Sequence, residues 1–210
     1  MKILSIDAET NGLYGQIFAI GAVYRDSETG EENKFIKKVS IEEEINSWVL
    51  QNVVPQLEDV EQLDTTVDHD TYGMEKLLLK EFTDFYKECK RKSGNDLTVI
   101  GHMVCPVEAN LFIKMRKYNL IEEFEGPYPL HDIASMMLMF GENPTSVDLY
   151  VKKYNLLKSD FKPHNPLFDA EQALEVFRDL KLRQIEIELT EMVNKGGKYE
   201  KVTRGIWYSL

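Results

Sequence analysis

Cysteine is scarce in this chain: of 210 residues only Cys89 and Cys105 carry a thiol. Two cysteines so placed form neither a disulfide framework nor a zinc-ligand spacing, which predicts a reduced, cytoplasmic protein. Long apolar runs are missing too; none approaches the ~18 residues that a membrane span requires. Met1-Lys2 leads straight into a strand pattern, so no secretory leader is expected. Cations are in deficit, with 25 Lys and Arg against 36 Asp and Glu and a formal net charge of −11. That balance argues against a broad basic surface gripping long nucleic acid. It leaves room for a small site that holds a strand end through metal ions. Repeats and low-complexity linkers are also absent.

What remains is a folded chain, 43 % apolar and 10 % aromatic, long enough for one well-buried domain. Acidic Glu42, Glu43 and Glu44, and the stretch from Glu58 to Asp70, read as solvated surface. Residues 2 to 6 and 17 to 25 are short apolar strand candidates joined through the turn dipeptide Asn11-Gly12. A third strand is expected from Asn33 to Val39, after Glu28-Thr29-Gly30, and the short turns suggest an antiparallel meander. The period then changes. Met74, Leu78, Phe82, Phe85 and Cys89 predict an amphipathic helix ending near Ser93-Gly94.

Leu97 to Ile100 is the next strand, and Pro106 opens a helix with Val107, Leu111, Met115 and Tyr118 on one face. A brief strand is expected at Tyr128 to Leu130, a helix from Asp132 to Phe140, and a short helix through Val147, Tyr150 and Tyr154. The last long helix is predicted from near Asp169 to about Val193. Strands in succession followed by strands alternating with helices describe an α/β domain with a mixed sheet. The single domain is placed at 1–194, with a basic tail at 195–210 that includes Trp207-Tyr208 and reads as a frayed end or a docking segment.

Ile3-Leu4-Ser5-Ile6-Asp7-Ala8-Glu9-Thr10 is the most informative stretch. Strand side chains alternate faces, so Asp7 and Glu9 point the same way. Two adjacent acids repel and are costly unless a cation sits between them. Two later regions offer further ligands. Glu108 follows a buried strand in the first turn of its helix, where the dipole alone is enough to favour an acid. Asp169 opens the long helix, where a plain N-cap is the alternative. His164 lies five residues before it, and a neutral imidazole suits proton abstraction from water near pH 7.

These residues resemble the DEDDh 3′-5′ exonucleases of the ribonuclease-H-like superfamily, a group that includes the DNA polymerase III proofreading subunit, RNase T and oligoribonuclease. The family's first motif, Asp-x-Glu-Thr-x-Gly-Leu, stands here as Asp7-Ala8-Glu9-Thr10-Asn11-Gly12-Leu13. Its following strand is similar to Ile20-Gly21-Ala22-Val23, and its third motif, His-x4-Asp-Ala, to His164 through Asp169-Ala170. Leu130-His131-Asp132 looks like its final strand. The resemblance covers about residues 2 to 180. The second motif departs: the family has an Asp preceded by a Phe and, further back, by His-Asn. Here Glu108 follows Val107, with His102 six residues earlier, while Leu111 fits. Asp96, the nearby alternative acid, lies at the other end of the strand.

The resemblance implies a ribonuclease-H-like fold with a mixed five-stranded sheet, its first three strands antiparallel, flanked by helices. It implies two Mg²⁺ or Mn²⁺ ions held by Asp7, Glu9, Glu108 and Asp169, with His164 as general base. Oxygen ligands suit such hard cations. The expected reaction is release of nucleoside 5′-monophosphates from the 3′ end of single-stranded DNA or RNA, probing short strands best. Thr10, Asn11, Gly12 and Leu13 are the expected substrate contacts. Two other classes stay open: a non-catalytic nucleic-acid or partner-binding module of the same fold, and a phosphohydrolase acting on nucleotides or short oligonucleotides. Homodimer and subunit of a larger assembly are both open as well.

Overall fold

Lys2–Thr10 forms β1, the middle strand of the sheet, in a computed structural model that describes residues 1–63, 73–94, 96–156 and 163–194. β2 (Ile17–Asp26) folds back antiparallel on β1, pairing Lys2 with Asp26 and Asp7 with Gly21. β3 (Glu32–Lys38) continues the meander on the outer edge of β2. On its other side β1 pairs in parallel with β4 (Leu97–Gly101), which pairs in parallel with β5 (Leu130–Asp132). The order β3-β2-β1-β4-β5, with the first three strands antiparallel, is the mixed sheet expected and a ribonuclease-H-like topology.

A parallel pair needs a long crossover, and the chain between β3 and β4 supplies it. This stretch holds α1 (Ser47–Asn52), a single 3₁₀ turn (Val54–Leu57) and α2 (Met74–Ser93). The alternation of β1 then sorts two cores. Leu4, Ile6 and Ala8 face Leu78, Phe82 and Tyr86 of α2 and Leu111 and Met115 of α3 (Val107–Lys117). Ile3 and Val23 face α4 (Ile133–Met139), α5 (Val147–Tyr154) and α6 (Pro166–Asn194). Each large apolar side chain buried this way contributes about 1.5–3 kcal/mol. Two layers of helix on one sheet follow directly from that sorting.

Several local expectations are corrected. β5 begins at Leu130, and Tyr128 is fully exposed. Pro106 stands just outside α3 rather than in its first turn, with the carbonyl of Val104 accepting from the Ala109 N–H at 2.9 Å. α6 opens at Pro166, three residues early, because proline has no N–H to leave unpaired in a first turn. The side chain of Asn165 accepts there from the Phe168 N–H at 3.3 Å.

The acidic run is not mere solvated surface. Glu42 accepts from the backbone N–H of Met74 at 2.9 Å, and Glu43 from that of Gln16 at 2.8 Å. Glu42 ties the crossover to itself at the start of α2, and Glu43 ties it to the loop before β2. The predicted basic tail at 195–210, and residues 64–70 of the second acidic stretch, lie outside the described residues. Cys89 is buried and its thiol is pushed up to about 12 by that burial, while Cys105 is exposed; neither is in a disulfide. Among the described residues no helix is long and apolar enough to cross a membrane.

Candidate active site at the end of the central strand

β1 outruns its parallel neighbour. Pairing with β4 ends at Ser5 opposite Ile100, yet β1 continues through Thr10 along β2. Beyond Ser5 the β4-side edge of β1 is open, and a crevice forms at the carboxyl ends of the two strands, the usual place for a site in such sheets. Glu108, from the first turn of α3, fills the gap: its Oε1 accepts from the Ala8 N–H at 3.2 Å. A methyl-sized group at Gly101 would meet Val104 at 2.9 Å and the Ile6 carbonyl at 3.1 Å, so that glycine lets the loop before α3 close against β1.

The opposite wall is built the same way. Gly21 lies beside Asp7 on β2, and a Cβ there would stand 2.1 Å from the backbone of Pro166 and Leu167. Only glycine lets the start of α6 rest on the sheet, which sets Asp169 above Asp7 and Glu9. The turn before α6 holds His164 in a left-handed conformation (φ 62°), and its N–H donates to Asp169 Oδ2 at 2.9 Å. Glu9, His164 and Asp169 each offer a ligand atom within 4.8 Å of the others.

The electrostatics of the four acids are those of like charges forced together. Burial pushes the Asp7 carboxyl from 3.8 up to about 7. Burial also raises Glu9 well above its ordinary range, and the charges of Asp7, Asp169 and Glu108 add to that. Glu108 is 4 % exposed and shifts upward for the same two reasons, burial and then Asp7, opposed by the Ala8 hydrogen bond. Asp169 rises to about 8 through burial, Asp7 and Asp148, against the His164 N–H. Among the described residues no Lys or Arg forms an ion pair with any of the four. Carboxylate oxygens with one imidazole and no thiolate are a donor set for a hard divalent cation. The residues present fit such ions.

Asp7, Glu9, Glu108, Asp169 and His164 thus stand in one place, and Asp96 is exposed at the far end of β4. The predicted substrate contacts divide. Leu13 is 62 % exposed, and Gly12 has φ 79° beside it, while Thr10 ends β1 at the rim. Asn11 is committed elsewhere: its Oδ1 accepts from the Asn46 N–H at 2.7 Å and its amide donates to Glu44 O at 2.9 Å and Glu43 at 3.0 Å. Those bonds seat α1 next to the motif. Asn46 caps α1, accepting from Trp48 N at 2.9 Å.

Sequence reading passed over Trp48. Its indole, 54 % exposed, meets the His164 ring edge-on at 5.2 Å. A six-residue helix has no period to detect; the only signal was Asn46-Ser47 as a cap. Asp132 was also undervalued: it accepts from Met103 N at 2.9 Å and Ala134 N at 3.0 Å, tying the loop before α3 to the start of α4. Compared with family models and with curated proteins, the chain matches none.

Proposed function

We propose that the protein is a metal-dependent 3′-5′ exonuclease of the DEDDh type, acting in the cytoplasm on single-stranded DNA or RNA. The observation that carries this reading is the convergence of Asp7, Glu9, Glu108 and Asp169, raised in pKa by burial and mutual repulsion, with His164 at their edge. Two Mg²⁺ or Mn²⁺ ions, when bound, supply the charge that clamps a scissile phosphate and sharpens a water for attack. Asp7 and Glu9 on β1, Glu108 on α3 and Asp169 on α6 would hold them. His164 takes the proton from the attacking water and orients it. Glu in place of the family's Asp reaches further by one methylene, and its bond to Ala8 N fixes where that longer arm ends.

Leu13 and Trp48 offer exposed apolar surface near the acids for the terminal base. The net charge of −11 favours short strands, held at their end rather than along a basic track. The test is incubation of 5′-labelled DNA and RNA oligomers, from dinucleotides upward, with Mn²⁺ and with EDTA. A ladder shortening from the 3′ end, abolished by EDTA, is expected on one polymer. Mn²⁺ binding without cleavage of any oligomer points instead to a nucleotide phosphohydrolase. No Mn²⁺ binding at all leaves a non-catalytic module.

A further inference from the structure

Beneath the acids the contact between β1 and α6 contains two polar side chains that have no partner. Ser5 is fully buried and Gln172 is 1 % exposed, and neither the Ser5 hydroxyl nor either polar atom of the Gln172 amide has a hydrogen bond among the described residues. Their level in the fold follows from two fixed points. At the upper end the first turn of α6 rests on Gly21, the partner of Asp7, and so carries Asp169 over Asp7. At the lower end Ile3 and Phe177 line one small cleft. From Asp7 down to Ile3 the strand covers about 13 Å. From Asp169 to Phe177 the helix covers about 12 Å. The two rulers agree, so the midpoint of the strand, Ser5, stands level with residues 172–173 of α6.

Both side chains also face the correct way. Ser5 is two residues before Asp7 on β1, and Gln172 is three residues after Asp169 on α6, so each shares its acid's face. Their buried neighbours in that layer include the apolar Ile3, Val23, Ala170, Ala173, Leu174 and Val176. A hydroxyl and an amide buried without partners are a standing cost that apolar side chains of the same size avoid. Carboxylates that bind metal need their remaining oxygens held, and such outer partners set ligand orientation.

We propose that Ser5 and Gln172 are positioning residues for the metal site: a polar shelf that, once cations are bound, hydrogen-bonds the undersides of Asp7 and Asp169 directly or through ordered water. The inference rests on the nuclease reading only in requiring that the acids bind metal. Mn²⁺ titration of the full chain, followed by calorimetry, tests it alongside melting of the metal-free protein. Gln172→Met removes the amide at nearly constant volume, and Ser5→Ala removes a single oxygen. Metal-free melting temperature is expected to hold or rise in both, while the Mn²⁺ dissociation constant rises about tenfold or more. Equal Mn²⁺ affinity in wild type and both variants overturns the shelf and leaves the nuclease reading standing. Absence of saturable Mn²⁺ binding in the wild type brings down that reading, and the shelf with it. Should Gln172→Met fail to fold, Ser5→Ala alone decides between weakened and unchanged affinity.

Discussion

The two ends of the β1–α6 contact are built from the same kinds of residue and treated in opposite ways. Away from the top the acids of α6 are paired: Glu171 with Lys34 at 2.6 Å near the middle, and Glu175 with Arg25 at 2.6 Å and Arg178 at 2.9 Å toward the lower end. Arg25 also reaches Glu32 at 2.7 Å, and Glu32 stays below its ordinary pKa because, against partial burial, Arg25 and Lys34 hold its charge. At the upper end four acids meet with no such ion pair among the described residues, and their pKa values rise. Paired acids are part of the scaffold. Crowded ones with raised pKa values mark a candidate functional site.

That contrast can be broken from either end. The largest effect is expected at the top: if the proposed nuclease reading holds, Asp7→Asn or Asp169→Asn lowers turnover by about three orders of magnitude, since each removes a proposed metal ligand. The same variants relieve repulsion, so the melting temperature of the metal-free protein holds or rises; wild-type turnover in either removes the metal assignment. Next is the seat of α6. Gly21→Ala drives a methyl into the Pro166 backbone and costs about 3 kcal/mol in denaturant unfolding, unless α6 can slide.

The third prediction concerns pH. Asp7 and Asp169 titrate near 7 and 8 in the folded chain but near 3.8 when unfolded, so between those values the folded state binds more protons. Their stabilising share is complete below about pH 4 and is lost as pH rises through 8. Melting of the metal-free protein should fall across that window, and saturating Mn²⁺ should flatten or reverse the slope. A metal-free melting temperature that climbs steadily from pH 5 to pH 8 contradicts the crowding of the acids. A smaller effect is expected at the rim, where Trp48→Ala raises KM for a short oligomer about tenfold with kcat nearly unchanged. Smallest of all, Glu175→Gln at the paired end changes stability by about 1 kcal/mol, as partly exposed ion pairs do.

Much of the scaffold was legible because its periods are strong. Alternation in β1 put Asp7 and Glu9 on one face, and three- and four-residue spacing marked α2, whose Leu78, Phe82 and Cys89 are buried. Glu108 was legible as a first-turn acid, but its bond to Ala8 N spans 100 residues and no local pattern encodes it. The same holds for Glu42 and Glu43, whose partners are backbone N–H groups distant in sequence. Pro166 misled the start of α6 because the acid, not the proline, was taken as the opening residue. Gln172 did leave a trace: it is a polar break in the apolar face that Asp169, Val176 and Leu180 share.

The seat of α6 on Gly21 also governs when the site can exist during synthesis. Asp7, Glu9 and Gly21 leave the ribosome first, and the partner backbone at Pro166 and Leu167 follows more than a hundred residues later. At typical elongation rates that gap lasts roughly ten seconds or longer. A nascent chain that stalls before this point has three of the four acids but no lid of helix to crowd them. On the proposed reading, metal affinity arrives only once α6 has docked, and a chain ending before Pro166 is expected to bind no Mn²⁺ tightly.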